Sequence, residues 1–235
     1  VMPEVLSFRH FEVTVIRSAR RRSATIKVDQ SGVSFRVPND IDHHKIIELV
    51  EKKTSWIRKK LEYAASLAVR PELTFQDGDQ IPVLGKPHSL KLLLGSEPHV
   101  EQMGDQIQVT LAAQRSFGSL HVRTLLERWL IDEAAILLAQ RLDYFAPIVG
   151  VRPAGMQVKA YKARWGSCRM DGQIQFNWRL IHGPADIIDY VVVHELCHIL
   201  EHNHSPAYWS QVERVMPDYK IRRKWLAENG AALTM

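Results

Sequence analysis

DYVVVHELCHILEHNHSPAYW, running from Asp189 to Trp209, is the stretch on which the reading turns. Together with the residues just before it, it carries a dense apolar run. Ile187, Ile188, Val191, Val192, Val193, Leu196, Ile199 and Leu200 are apolar nearly all round a helix, which predicts a buried one. His182-Gly183-Pro184 opens that helix, with Pro184 suited to its first position. Inside the run stand His194, Glu195 and His198. Burying two imidazoles and a carboxylate without partners is costly, so their presence asks for a reason. Histidines four apart share one helix face, and both rings can reach one metal ion. Glu195 is rotated by about 100° from His194, which places it to reach a water beside the ion. Zinc brings such a water toward a pKa of about 7, and a glutamate can then act as general base.

A third ligand is expected beyond the helix. Asn203 tolerates the left-handed conformation that ends helices, Ser205 is a good N-cap and Pro206 a good first residue of the next helix. His204 is therefore expected in a tight corner beside the ion. His202 is the weaker candidate, because two turns from His194 make roughly 11 Å of rise. Glu201 is weaker still. Cys197 points to another face and reads as a small buried residue. The cofactor expected is one zinc ion, with another imidazole-binding divalent metal as the alternative.

Working outward, Met156 to Arg164, a turn over Cys168 to Gly172 and Gln173 to Trp178 read as a hairpin. Val122, Leu125, Leu126, Trp129, Ile136 and Leu137 predict a long helix from Ser119 to Tyr144, ended by Pro147 and Gly150. Earlier, Phe11, Val13 and Val15 alternate as a strand, with Ala24 to Val28 as its expected hairpin partner and the arginines at the tip. Val33, Phe35 and Val37 form another strand. Residues 41–68 read as one helix capped by Asp40 or Asp42. Strands resume from Gln80 to Leu111, broken at Gly85-Lys86, Gly95-Ser96 and Gly104-Asp105. The class is α+β. A β-rich N-terminal module with one helix is expected over 1–115, and a mainly helical catalytic half with a short antiparallel sheet over 116–235.

The composition fits a globular chain with its own core: 235 residues, 46% hydrophobic and 24% charged. No run of about 18 uncharged apolar residues exists, so no membrane partner is expected. Val1 to His10 does not read as a signal peptide. Two cysteines, Cys168 and Cys197, make no disulfide framework and point to a reduced, cytoplasmic compartment. Only the count supports a Cys168–Cys197 bond. The net charge of +5 is uneven. Arg17, Arg20, Arg21, Arg22 and Lys27 crowd one segment, and Arg58, Lys59 and Lys60 another. Arg20, Arg21 and Arg22 are candidate phosphate contacts, with a solvated face as the plain alternative.

Tyr208, Tyr219 and Arg222 are candidates for transition-state or substrate contacts, against packing or surface roles. Asn177 or Asp189 is a candidate to orient a ligand imidazole. If Gln173 to Trp178 is an edge strand, it can hold an extended peptide by strand addition. Trp165 and Trp178 read equally as core.

RWGSC at Arg164 to Cys168, NWRL at Asn177 to Leu180, the opening stretch and MPDYKIRRKWL at Met216 to Leu226 resemble the YgjP-like zinc metallopeptidase family. RSARRRSATIKV and GVSFRVP near the N-terminus resemble it more loosely. The resemblance implies a zincin-like catalytic half related to the SprT-like peptidases. It also implies His194, His198 and His204 as ligands and Glu195 as the catalytic group. The ligand spacing equals that of the metzincins, but Glu201 stands at their glycine position and no methionine turn is visible. The leading expectation is a metallopeptidase acting on a peptide or protein. The alternatives are a metal-dependent hydrolase of nucleoside triphosphates or other phosphoanhydrides and a nucleic-acid-associated peptidase. A structural zinc site is the least enzymatic reading, and three protein ligands argue against it, because structural sites usually fill four positions.

Overall fold

A computed structural model describes residues 4–29, 31–68, 73–112 and 118–233. The chain forms two compact units, Val1–Glu72 and Leu73–Met235.

The first unit is a four-stranded sheet with two helices. The strands are β1 (Glu4–Phe8), β2 (Phe11–Ser18), β3 (Thr25–Asp29) and β4 (Gly32–Pro38), in the order β1-β2-β4-β3. Alternation decides which faces are buried: Val13 and Val15 on β2 and Val33, Phe35 and Val37 on β4 point into one core. The pairing differs from the expected hairpin of β2 with Ala24 to Val28. β3 pairs with β4, and β2 runs parallel to β4. The helical stretch is also broken in two, at Lys52-Lys53, into α1 (His43–Glu51) and α2 (Thr54–Ala68). Asp42 caps α1 by accepting from the His44 N–H at 2.7 Å.

The second unit begins with β5 (Gln80–Val83), β6 (Lys86–Gly95), β7 (His99–Met103) and β8 (Gln106–Ala112), ordered β5-β6-β8-β7. Leu84 and Gly85 both have positive φ, 52° and 76°, which is the two-residue turn that suits a twisted hairpin. A 31-residue helix, α3 (Ser119–Val149), follows. It runs past the expected end at Tyr144, carries Pro147 in its last turn, and stops at Gly150 in the left-handed conformation. Val122, Leu126, Leu130, Ala134, Leu138 and Leu142 recur every four residues as its buried stripe, whereas Ile136 faces out. Then come β9 (Gly155–Lys159), β10 (Gly166–Cys168), β11 (Gln173–Asn177), a 3-10 turn (Trp178–His182), α4 (Ala185–Leu200), α5 (Pro206–Val215) and α6 (Tyr219–Asn229).

The hairpin is β10 with β11, and β9 lies parallel on the other side of β11. The small sheet is therefore mixed, and Gln173–Asn177 is its central strand, not an edge. The boundary expected at 115/116 lies outside the described residues. The sheet of β5 to β8 shares one hydrophobic core with α3 and α4, through Leu90, Ile107, Leu126, Leu138, Val192 and Leu196. It is also tied to the run-in of α4: the Leu84 N–H donates to the Ile181 carbonyl at 2.7 Å, and His182 Nδ1 bonds the Pro82 carbonyl at 2.7 Å. Among the described residues no helix is long and apolar enough to cross a membrane.

Candidate metal centre

α4 is buried on nearly every side, as its sequence predicts, and its C-terminal half carries His194, Glu195 and His198. It ends at Leu200 because Glu201 turns extended, with φ −140° and ψ 106°, while its N–H still bonds the Cys197 carbonyl. This differs from the expected stop at Asn203. Phe75 and Leu84 are the non-glycine residues of positive φ among the described residues. Asn203 acts through its side chain instead, accepting from the Ser205 N–H at 3.0 Å. Ser205 then caps α5 by accepting from the Tyr208 N–H at 3.2 Å, with Pro206 in the first turn. The corner between these helices brings His204 back over α4.

His194, His198 and His204 each offer a ring nitrogen, and the three lie within 4.8 Å of one another. Nε2 of His194 and Nε2 of His204 are 3.3 Å apart. Two nitrogens on a tetrahedral zinc at 2.0–2.1 Å stand about 3.3–3.4 Å apart, so this pair already has a ligand-like spacing. Hydrogen bonds fix which nitrogen is free. Tyr208 Oη lies 2.9 Å from the His194 carbonyl and 2.6 Å from His194 Nδ1. A carbonyl can only accept, so Oη gives its one proton there and takes the Nδ1–H. His198 Nδ1 in turn donates to the Glu201 carbonyl at 3.1 Å. Both rings are thereby left with an Nε2 lone pair directed into the cluster, the usual outer arrangement of metal-binding histidines. Burial, and then the charges of the other two histidines, hold the His194 pKa down to about 3. Burial also lowers that of His198. Those two rings are neutral and fit to coordinate over the physiological range.

Glu195 is 4% exposed, and among the described residues nothing donates a hydrogen bond to its carboxylate. Burial raises its pKa to about 8, against a downward pull from Arg164. Its side chain rests on β10. A Cβ placed on Gly166 would stand 2.5 Å from Glu195 Oε1 and 2.7 Å from its Cγ, so only glycine leaves room there.

A model of the YgjP-like family, described as a metallopeptidase domain, matches residues 22–229. The chain belongs to the YgjP-like metallopeptidase family. It is also similar to a solved structure, the metallopeptidase zymogen of Pyrococcus abyssi abylysin, at 19% identity and a TM-score of 0.36, over 39% of this chain and 93% of that one. No curated protein matches the chain.

In this YgjP-like chain the other sequence candidates separate. Tyr208 is fully buried and serves His194, so it is an outer partner of a ring and not a group facing substrate. Burial pushes its phenol pKa well up, which keeps it neutral. Tyr219 is buried behind the cluster, stacked on Trp209 with ring centroids 5.2 Å apart, and Trp209 in turn stacks on His204 at 5.5 Å. Arg222 is turned to Asp218 and to the Asp186 carbonyl, tying α6 to the start of α4. The next residue, Arg223, lies over the Trp209 ring at 4.5 Å and is felt electrostatically at His194. Helical spacing was the available signal for it, since Tyr219 and Arg223 are four apart.

Neither proposed orienting group meets a ligand ring. Asp189 makes a two-pronged pair with Arg141, at 2.5 and 2.8 Å. Asn177 holds the preceding loop by donating to the Tyr161 and Arg164 carbonyls. His202 and Glu201 stand outside the three-histidine cluster. Cys168 and Cys197 are free thiols. Arg20, Arg21 and Arg22 lie between β2 and β3 in the first unit, where Arg21 bonds Thr25 at 3.0 Å.

Proposed function

We propose that this YgjP-like protein is a zinc-dependent peptidase in which His194, His198 and His204 hold the ion and Glu195 is the general base. The observation that carries this reading is the neighbourhood of three convergent imidazoles and a buried carboxylate that receives no hydrogen bond. A carboxylate whose pKa is strongly shifted by burial, next to convergent metal-ligating groups, is the usual mark of a functional site.

When bound, a zinc ion supplies a Lewis acid for a peptide carbonyl and a water of pKa about 7. The chain's own part follows from its residues. Glu195, with its pKa raised to about 8, sits near the operating pH. It takes a proton from the attacking water onto a carboxylate oxygen and gives it to the leaving nitrogen. Tyr208 and the Glu201 carbonyl hold two of the rings in one tautomer and one orientation. Gly166 fixes the position of Glu195 against β10. The phosphoanhydride and nucleic-acid readings rest on Arg20, Arg21 and Arg22, and no group at the three-histidine site favours them.

The test is cleavage of a broad peptide and unfolded-protein panel by zinc-loaded wild type and Glu195→Gln. Expected is metal-dependent cleavage by the wild type and loss of turnover with retained zinc in the variant. No peptide cleavage that depends on Glu195, or Glu195-dependent phosphate release from nucleotides instead, overturns it.

A further inference from the structure

A cavity of about 510 Å³ opens beside the loop that leads into β10. Lys162, Arg164 and Arg179 line it, and no Asp or Glu is among the described residues that do. None of these three cations forms an ion pair with a described residue. Three like charges around one concavity raise its potential, and an anion relieves the repulsion.

The frame is fixed. Asn177 is buried, and its amide nitrogen donates to the Tyr161 carbonyl at 2.9 Å and the Arg164 carbonyl at 3.1 Å. Tyr161 is anchored again through its hydroxyl, which donates to Gln175. The two guanidiniums lie on aromatic faces, Arg164 over Tyr161 at 5.4 Å and Arg179 over Trp178 at 4.8 Å. A guanidinium held over an aromatic face still has N–H groups available for an oxyanion.

One of the lining cations, Arg164, is felt electrostatically at Glu195, where it lowers the pKa. Arg164 is two residues before Gly166, at most about 7 Å along the chain, and Gly166 is the residue against which Glu195 rests. We propose that this cavity is a subsite for a carboxylate of the peptide substrate, within a few residues of the scissile bond. The inference rests on the peptidase reading. Two sources share this chemistry: an Asp or Glu side chain, and the α-carboxylate at the end of a peptide.

One peptide is made with Glu, Gln or Lys at each position in turn, and with a free or amidated C-terminus. These are cleaved by the zinc-loaded full chain and mapped by mass spectrometry. Expected is a rise in kcat/KM of roughly 10- to 100-fold for Glu over Gln at one position, or for the free acid over the amide. The first result assigns a side chain and the second a terminal carboxylate. The preference ratio falls toward one in Lys162→Gln and Arg179→Gln, and Arg179→Glu moves it toward Lys. A binding readout needs no turnover: the same ratio appears in the affinity of Glu195→Gln for the acidic and neutral peptides, and weakens with salt. Peptide cleavage with no carboxylate preference, or a preference that survives these substitutions, overturns the subsite and leaves the peptidase reading standing. Absence of Glu195-dependent peptide cleavage overturns both.

Discussion

Gly166→Ala isolates the placement of the general base from the rest of the site. The added Cβ would lie 2.5 Å from Glu195 Oε1, 2.7 Å from Cγ and 2.8 Å from Cδ, whereas ordinary contact begins near 3.4 Å. The carboxylate must therefore move by about 1 Å, and a misplacement of that size costs about 100-fold in rate, or about 2.7 kcal/mol of transition-state stabilisation. Gly166 has no positive φ, so alanine adds no backbone strain there. Replacing glycine in a strand gains up to about 1 kcal/mol in folding. The three heavy atoms nearest the new methyl group all belong to Glu195. The expected protein is thus at least as stable as wild type by urea unfolding, still binds one zinc per chain, and cleaves peptides about 100-fold more slowly. A kcat/KM within about threefold of wild type would refute the reasoning. So would loss of zinc, because the damage would then lie in the ligands and not in the base.

Tyr208→Phe removes the partner that sets the His194 tautomer, and zinc affinity is expected to weaken roughly 10- to 100-fold by competition with a chelating dye. An unchanged affinity would show that His194 needs no such partner. In chelator-treated protein Glu195 is shifted from its ordinary 4.5 to about 8 and His194 from 6.5 to about 3. The folded state then holds the Glu195 proton longer than the unfolded state, so stability falls as pH rises from 4.5 to 8. His194 acts oppositely, adding stability as pH rises from 3 to 6.5. Between pH 6.5 and 8 Glu195 acts without that opposition, and the loss is about 2 kcal/mol, seen in urea unfolding and absent from Glu195→Gln. Parallel losses in both proteins would contradict it. Arg141→Leu strands the Asp189 carboxylate and costs about 1–3 kcal/mol, most of which Arg141→Leu/Asp189→Leu recovers; additive losses would deny the coupling.

What the sequence made legible was local. The spacing of His194 and His198 on one helix, the Ser205-Pro206 restart and the strands broken at Gly85 and Gly104 all depend on neighbours a few residues away. The structure follows them closely. Strand partners depend on distant residues, and there the reading failed. β2 passes over β3 to run parallel with β4, and β9 joins β11 in parallel, although alternation alone fits hairpins equally well. The stop of α4 was anticipated but placed two residues late, because an extended Glu201 leaves no signature comparable to a glycine. Gly166 was legible only as a letter in RWGSC. Its role depends on a helix 29 positions away in sequence, measured to Glu195.

The same buried stretch of α4 also separates structural polar groups from chemical ones. Asp189 and Glu195 are both carboxylates on this helix, six residues apart. Asp189 is answered by a guanidinium with two hydrogen bonds. These groups stabilise packing, and an apolar pair of similar volume can replace such an ion pair at little cost. Glu195 is more deeply buried than Asp189 and receives no donor from the chain. Packing alone gives no reason to keep it, since a leucine there would cost less. Hydropathy alone treats both acids alike, as charges in an apolar helix. What separates them is their surroundings: Glu195 follows His194, whose ring nitrogen converges with those of His198 and His204, whereas Asp189 is tied to Arg141, and that difference supports the proposed role of Glu195 toward a reacting molecule.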